Sequence, residues 1–166
     1  LFDKIEVNYD KTVLKFTGYS KNIFDYNRSF DFNIFVNSNS NISSPVFLTD
    51  KLNSLLFKLG ETSSEINLKF DYNNIDVKVF MTSNLGTINT NASFKRKIKN
   101  YDYLIDINSE KFDVGYLLKI PTIANTGLDI SLRGNGFDFS VLNFSVTGTL
   151  SDFTYRNYTY QKVDLK

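Results

Sequence analysis

Asp102, Asp106, Asp129 and Asp138 are the residues best suited to acid–base chemistry in this chain, since glycoside hydrolysis needs two carboxylates close together. Asp102 and Asp106, however, alternate with Tyr101, Tyr103, Ile105 and Ile107 in YDYLIDIN. That is the pattern of a half-buried strand with its carboxylates in water. Serines are plentiful, yet there is no histidine among the 166 residues to activate one. Cysteine is absent too, which removes disulfides and thiolate zinc sites. Arg133 to Gly136 reads RGNG, a scrap of a glycine loop without phosphate-binding spacing or a following Lys-Ser/Thr, and is expected to be a turn. Lys95, Arg96, Lys97 and Lys99 beside Phe94 and Tyr101 have the composition of a single-strand nucleic-acid contact. With 19 basic against 18 acidic residues the chain has no field to support one, so the cluster reads as a charged hairpin tip. Sequons at Asn27, Asn41, Asn91, Asn143 and Asn157 are expected by chance in so Asn-, Ser- and Thr-rich a chain. The expectation is a protein without enzymatic activity, cofactor, metal or nucleic-acid partner.

Apolar residues placed on alternate positions dominate the rest. KIEVNY puts Ile5, Val7 and Tyr9 on one face, and TVLKFTG adds Leu14 and Phe16. SFDFNIFVN aligns Phe30, Phe32, Ile34 and Val36, and EINLKFDY aligns Ile66, Leu68, Phe70 and Tyr72. Asn73 and Asn74 suit a tight turn, because asparagine tolerates positive φ. IDVKVFM, TINTNASF, YDYLIDIN, LDISL, FSVTGTL and the closing YTYQKVDL continue the pattern. About ten strands with short connections predict an antiparallel meander. The parity of apolar positions changes between Leu150 and Phe153, so a turn or bulge is expected near Ser151 and Asp152. One helix is expected near 50–59, where Leu52, Leu55, Leu56 and Leu59 repeat at helical spacing between a Thr49 or Asp50 cap and Gly60. It is too short, with two lysines, to hold a bilayer, and is expected to plug an end of the sheet.

Two architectures fit the alternation. One is a closed β-sandwich whose inner faces meet, which would suit a carbohydrate-binding or adhesin module. The other is a single long curled sheet, roughly 45–50 Å across ten strands, whose apolar face must be covered by ligand or lipid. A loose internal repeat, NYDYLIDINSEKFDVGYLL against NYTYQKVDLK and FDVGYLL against FDFSVLN, favours an elongated array. The chain opens at Leu1 and closes at Lys166 inside apolar alternation, so both ends are expected to continue into further strands.

The C-terminal part resembles the TamB family, translocation and assembly module proteins of the AsmA-like superfamily in Gram-negative bacteria. The residues that carry the resemblance are Leu85, Gly86 and Ile88 in one strand; Phe112, Asp113, Val114, Gly115, Leu117 and Leu118 in a corner; Gly134, Gly136, Phe137 and Asp138; and Val146, Gly148, Tyr158, Tyr160, Val163 and Leu165 at the close. Arg156-Asn157 stands where the family often has a glycine turn. The resemblance covers 62–166 well and 1–61 less, where the leucine-rich helix is the main shared feature. It implies an all-β, taco-shaped antiparallel sheet with one short helix, 1–166 being a segment of a longer groove. It also implies phospholipid as the bound partner, adjacent segments of the same chain at both ends, an Omp85-type outer-membrane assembly partner, and a periplasmic location with an inner-membrane anchor outside this segment. The expected lining of the groove is Ile66, Leu68, Phe70, Val77, Val79, Met81, Phe94, Tyr103, Ile105, Leu128, Ile130, Leu132, Phe144 and Val146.

Overall fold

The computed structural model describes residues 2–9, 12–21, 29–38, 58–98, 100–136 and 143–166. Its strands are β1 (Phe2–Tyr9), β2 (Thr12–Lys21), β3 (Ser29–Ser38), β4 (Thr62–Phe70), β5 (Asn74–Ser83), β6 (Gly86–Arg96), β7 (Tyr101–Asp113), β8 (Asn125–Asn135), β9 (Asn143–Tyr155) and β10 (Tyr158–Leu165), with the helix α1 (Val114–Leu118) between β7 and β8. All ten strands form one antiparallel sheet in sequence order, with β1 and β10 at its two edges. The sheet is open and curled. Two sheets packed face to face are therefore not formed by the described residues. Of the helix expected over 50–59, Lys58 and Leu59 are helical and the rest lies outside the described residues.

Register carries one unbroken row across the whole sheet. Ile5 faces Phe16, Phe16 faces Ile34, Ile34 faces Ile66, Ile66 faces Val79 and Val79 faces Thr90. The row goes on from Thr90 to Ile107, Ile130, Gly148 and Leu165. Because side chains alternate, every residue two positions from this row shares its face. That face is apolar on every strand. The other face holds most of the charges: Lys15 meets Glu6 at 3.7 Å, Lys69 meets Asp31 at 3.2 Å and Lys162 meets Asp164 at 3.2 Å. There Asn67 also donates to Asn33 Oδ1 at 2.7 Å and to Asp31 Oδ1 at 3.1 Å.

The turns follow from local chemistry. Between β4 and β5 the Asp71 carboxylate accepts from the backbone N–H groups of Asn73 (2.7 Å) and Asn74 (2.8 Å). These bonds hold its pKa below the ordinary 3.8, Asn73 contributing most. Between β9 and β10, Arg156 (φ 49°) and Asn157 (φ 69°) both take the left-handed conformation of a two-residue type I′ hairpin, so no glycine is required there. Near Ser151 and Asp152, where a turn or bulge is expected, β9 instead runs on to Tyr155 in one register with β10, and Asp152 takes a left-handed φ of 50° within the strand.

Burial is concentrated at one end of the strands. Phe112 and Thr126 are each 1% exposed, and Leu59 and Ser109 are 5% exposed. The β7 register shifts by one residue between Ser109 and Phe112. This bulge turns Phe112 onto the apolar face, opposite Thr126 on β8 and Gly86 on β6. Gly86 has φ 130°, and a Cβ there would strike the Lys111 carbonyl, so glycine is needed beside the bulge. Asp113 then caps α1, its Oδ1 accepting from Tyr116 N–H at 2.8 Å. Gly115 lets the returning chain approach: a Cβ there would overlap the Ile123 carbonyl. Lys58 Nζ closes the corner by donating to the Leu117 carbonyl at 2.6 Å.

Candidate functional site: the apolar face of the sheet

Ladder pairing places all fourteen expected lining residues on this one face. Ile66, Val79 and Ile130 belong to the unbroken row. Leu68, Val77, Ile105, Leu132 and Val146 belong to the next, through the pairs Leu68–Val77, Ile105–Leu132 and Leu132–Val146. Phe70, Phe94, Tyr103 and Phe144 fall in a third row, near the β4–β5 and β6–β7 turns, joined through Ile75 and Gly134. Met81 sits opposite Ile88, and Leu128 opposite Ser109 and Leu150. The same rows bring in residues outside the expected set: Leu14, Phe16, Phe32, Ile34, Ile88 and Ile107. Their alternation in sequence was the available signal.

Most of these side chains are half-buried. Neighbours on the same face shield their flanks, and no second layer among the described residues shields their tips. Phe30 and Phe70 stack with ring centroids 4.5 Å apart, Phe32 lies 6.0 Å from Phe70, and Phe94 lies 6.4 Å from Tyr103. Tyr103, 8% exposed, lies across the bare backbone of Gly134. At the edges the face is more open: Ile5 is 52% exposed and Phe144 50%. A face of this extent is far larger than the apolar patches that soluble monomers leave in water.

The residues that might have supported catalysis are not assembled. Asp102 pairs with Lys97 at 3.1 Å. Asp106 faces Ser131 and Asp129 faces Asn108, all on the polar face, and both aspartates are exposed. Asp138, Lys99, Asn27, Asn41 and the segment FDFSVL before Asn143 lie outside the described residues. Among the described residues no trio of His, Cys, Asp or Glu is close enough to hold a metal, and no helix is long and apolar enough to cross a membrane. Beside the corner lies an open recess of about 770 Å³, lined by Lys58, Asp113, Tyr116, Lys119, Pro121 and Ile123.

Fold and site together define an all-β protein built as one open antiparallel meander with a continuous apolar face. No family model, curated protein or solved structure matches the chain.

Proposed function

We propose that this chain is a segment of a TamB-like β-groove protein that holds phospholipid acyl chains against its apolar face, and that it is not an enzyme. The observation that supports the reading most is the single-layered apolar face, whose ten-strand row from Ile5 to Leu165 meets no covering layer among the described residues. Hydrocarbon laid on that face removes both surfaces from water, at about 0.8 kcal/mol per buried CH₂. The contact is non-directional, so a chain can slide along the rows without meeting a deep specific well. By the resemblance, the groove continues into adjacent segments, works with an Omp85-type partner, and lies in the periplasm under an inner-membrane anchor located elsewhere in the protein. Its role would be to support lipid transport to the outer membrane and protein assembly there. No nucleic-acid partner belongs to this reading.

Native mass spectrometry of the purified chain tests it. The expected result is co-purified phospholipid that is lost on Leu68→Asp or Ile130→Asp while circular dichroism still reports the sheet. A chain that stays lipid-free after incubation with phospholipid vesicles would overturn the reading.

A further inference from the structure

Among the described residues that ladder pairs place on the apolar face, Arg96 alone is charged. It lies one pair beyond Phe94 and Tyr103, directly opposite Tyr101. Its guanidinium sits 4.9 Å from the centroid of the Tyr72 ring, at the β4–β5 turn. It forms no ion pair with a described carboxylate, whereas the neighbouring Lys97 is engaged by Asp102 at 3.1 Å. The side chain is exposed, so its edge donors remain open to a ligand.

The two ends of the apolar face therefore differ. At one end, Leu59, Phe112 and the α1 corner bury the strand termini. The hydroxyls there are already occupied: Ser109 Oγ donates to the Thr87 carbonyl at 2.6 Å and Thr126 Oγ1 to the Ser151 carbonyl at 2.9 Å. At the other end a row of aromatic rings leads out to a cation flanked by two tyrosines. Apolar lining, aromatic belt and cation are the order in which an acidic amphiphile presents its tail, its interfacial region and its headgroup. A guanidinium also matches phosphate oxygens with paired donors.

We infer that Arg96, with Tyr72 and Tyr101 beside it, receives the anionic headgroup of the bound lipid and so orients the lipid along the strands with its tail toward the Phe112 end. The inference rests on the lipid-groove reading and deepens it by naming the headgroup class. From Met81 to Ile75 the strand gives roughly 20 Å of apolar run for that tail.

The test is competition between headgroups. The 166-residue chain is incubated with equimolar phosphatidylglycerol and phosphatidylcholine vesicles, re-isolated, and its bound lipids are counted by native mass spectrometry. The expected result is a bias of about five-fold toward phosphatidylglycerol, which Arg96→Gln abolishes and Arg96→Lys partly keeps. Lys95→Gln removes the same charge one residue away on the polar face, where Lys95 faces Asn74 and Asp102, and should leave the bias intact. Equal uptake of both lipids by the unaltered chain overturns this inference and leaves the groove reading standing. Equal losses in the Arg96 and Lys95 variants also overturn it, by assigning the bias to general surface charge. Uptake of neither lipid overturns both.

Discussion

Phe112→Ala and Ile130→Ala together measure whether anything covers the apolar face. Phe112 is 1% exposed, held between Gly86 and Thr126 beneath the α1 corner. Truncating a ring at such a site leaves a cavity that the bulged backbone cannot close, at a cost of about 3–5 kcal/mol. Ile130 lies in the unbroken row, on the inner strand β8 between Ile107 and Gly148, but is half-buried. Its outer atoms face no protein among the described residues, so removing them leaves an open notch rather than a cavity. The transfer loss then scales with the area hidden in the folded state, and about 1–1.5 kcal/mol is expected. In a chain of this size each kcal/mol lowers the melting temperature by about 2–4 °C. Phe112→Ala should therefore melt roughly 6–20 °C lower, and Ile130→Ala no more than about 6 °C lower. Thermal unfolding followed by circular dichroism, without added lipid, reads both. If Ile130→Ala were as damaging as Phe112→Ala, the face would have to be sealed by protein, and the open-sheet argument would be refuted.

Two further outcomes follow from the turns and the corner. Gly115→Ala forces a Cβ against the Ile123 carbonyl, which is backbone and cannot swing aside, so a loss of about 1–3 kcal/mol is expected in urea denaturation. Ionised Asp71 accepts backbone N–H bonds in the folded chain, and its folded-state pKa lies below the ordinary 3.8. Its contribution is therefore complete above that value and fades as pH falls through the folded-state pKa. Denaturation midpoints should fall across this acid window for the unaltered chain and change less for Asp71→Asn; equal slopes would show that the turn bonds do not favour the ionised form.

Strand number and face were legible because a period of two has one physical meaning, a pleated ribbon wet on one side. SFDFNIFVN and EINLKFDY give their apolar faces without help, and β3 and β4 then pair Phe32 with Leu68 and Ile34 with Ile66. Phe112 was not legible as part of that face. Counting by twos from Tyr103, Ile105 and Ile107 sends it to the polar side, and only the one-residue bulge after Ser109 brings it back. The glycine that permits the bulge, Gly86, lies on a different strand, so no local window in the sequence contains both halves of the device. In sequence, Arg96 and its neighbours look alike, as one charged hairpin tip. Near a turn, alternation alone cannot separate Arg96 from Lys95, and the pair Arg96–Tyr101 was needed to do so. The choice between a sandwich and an open sheet lay beyond periodicity altogether, since both demand the same alternation and differ only in what meets the face.

Strict adjacency has a consequence for how such a chain can change its length. Each inner strand of the meander pairs with the strands before and after it in sequence. Excising β5 and β6 as a unit would bring β4 against β7 in the same antiparallel sense, with Ile66 able to meet Ile107 as it now meets Val79. Deleting a single strand would instead leave its two neighbours pointing the same way, with a connection too short for a parallel crossover. Insertions and deletions in this architecture are thus quantised in twos, and a variant shortened by one complete hairpin should keep the remainder of its sheet.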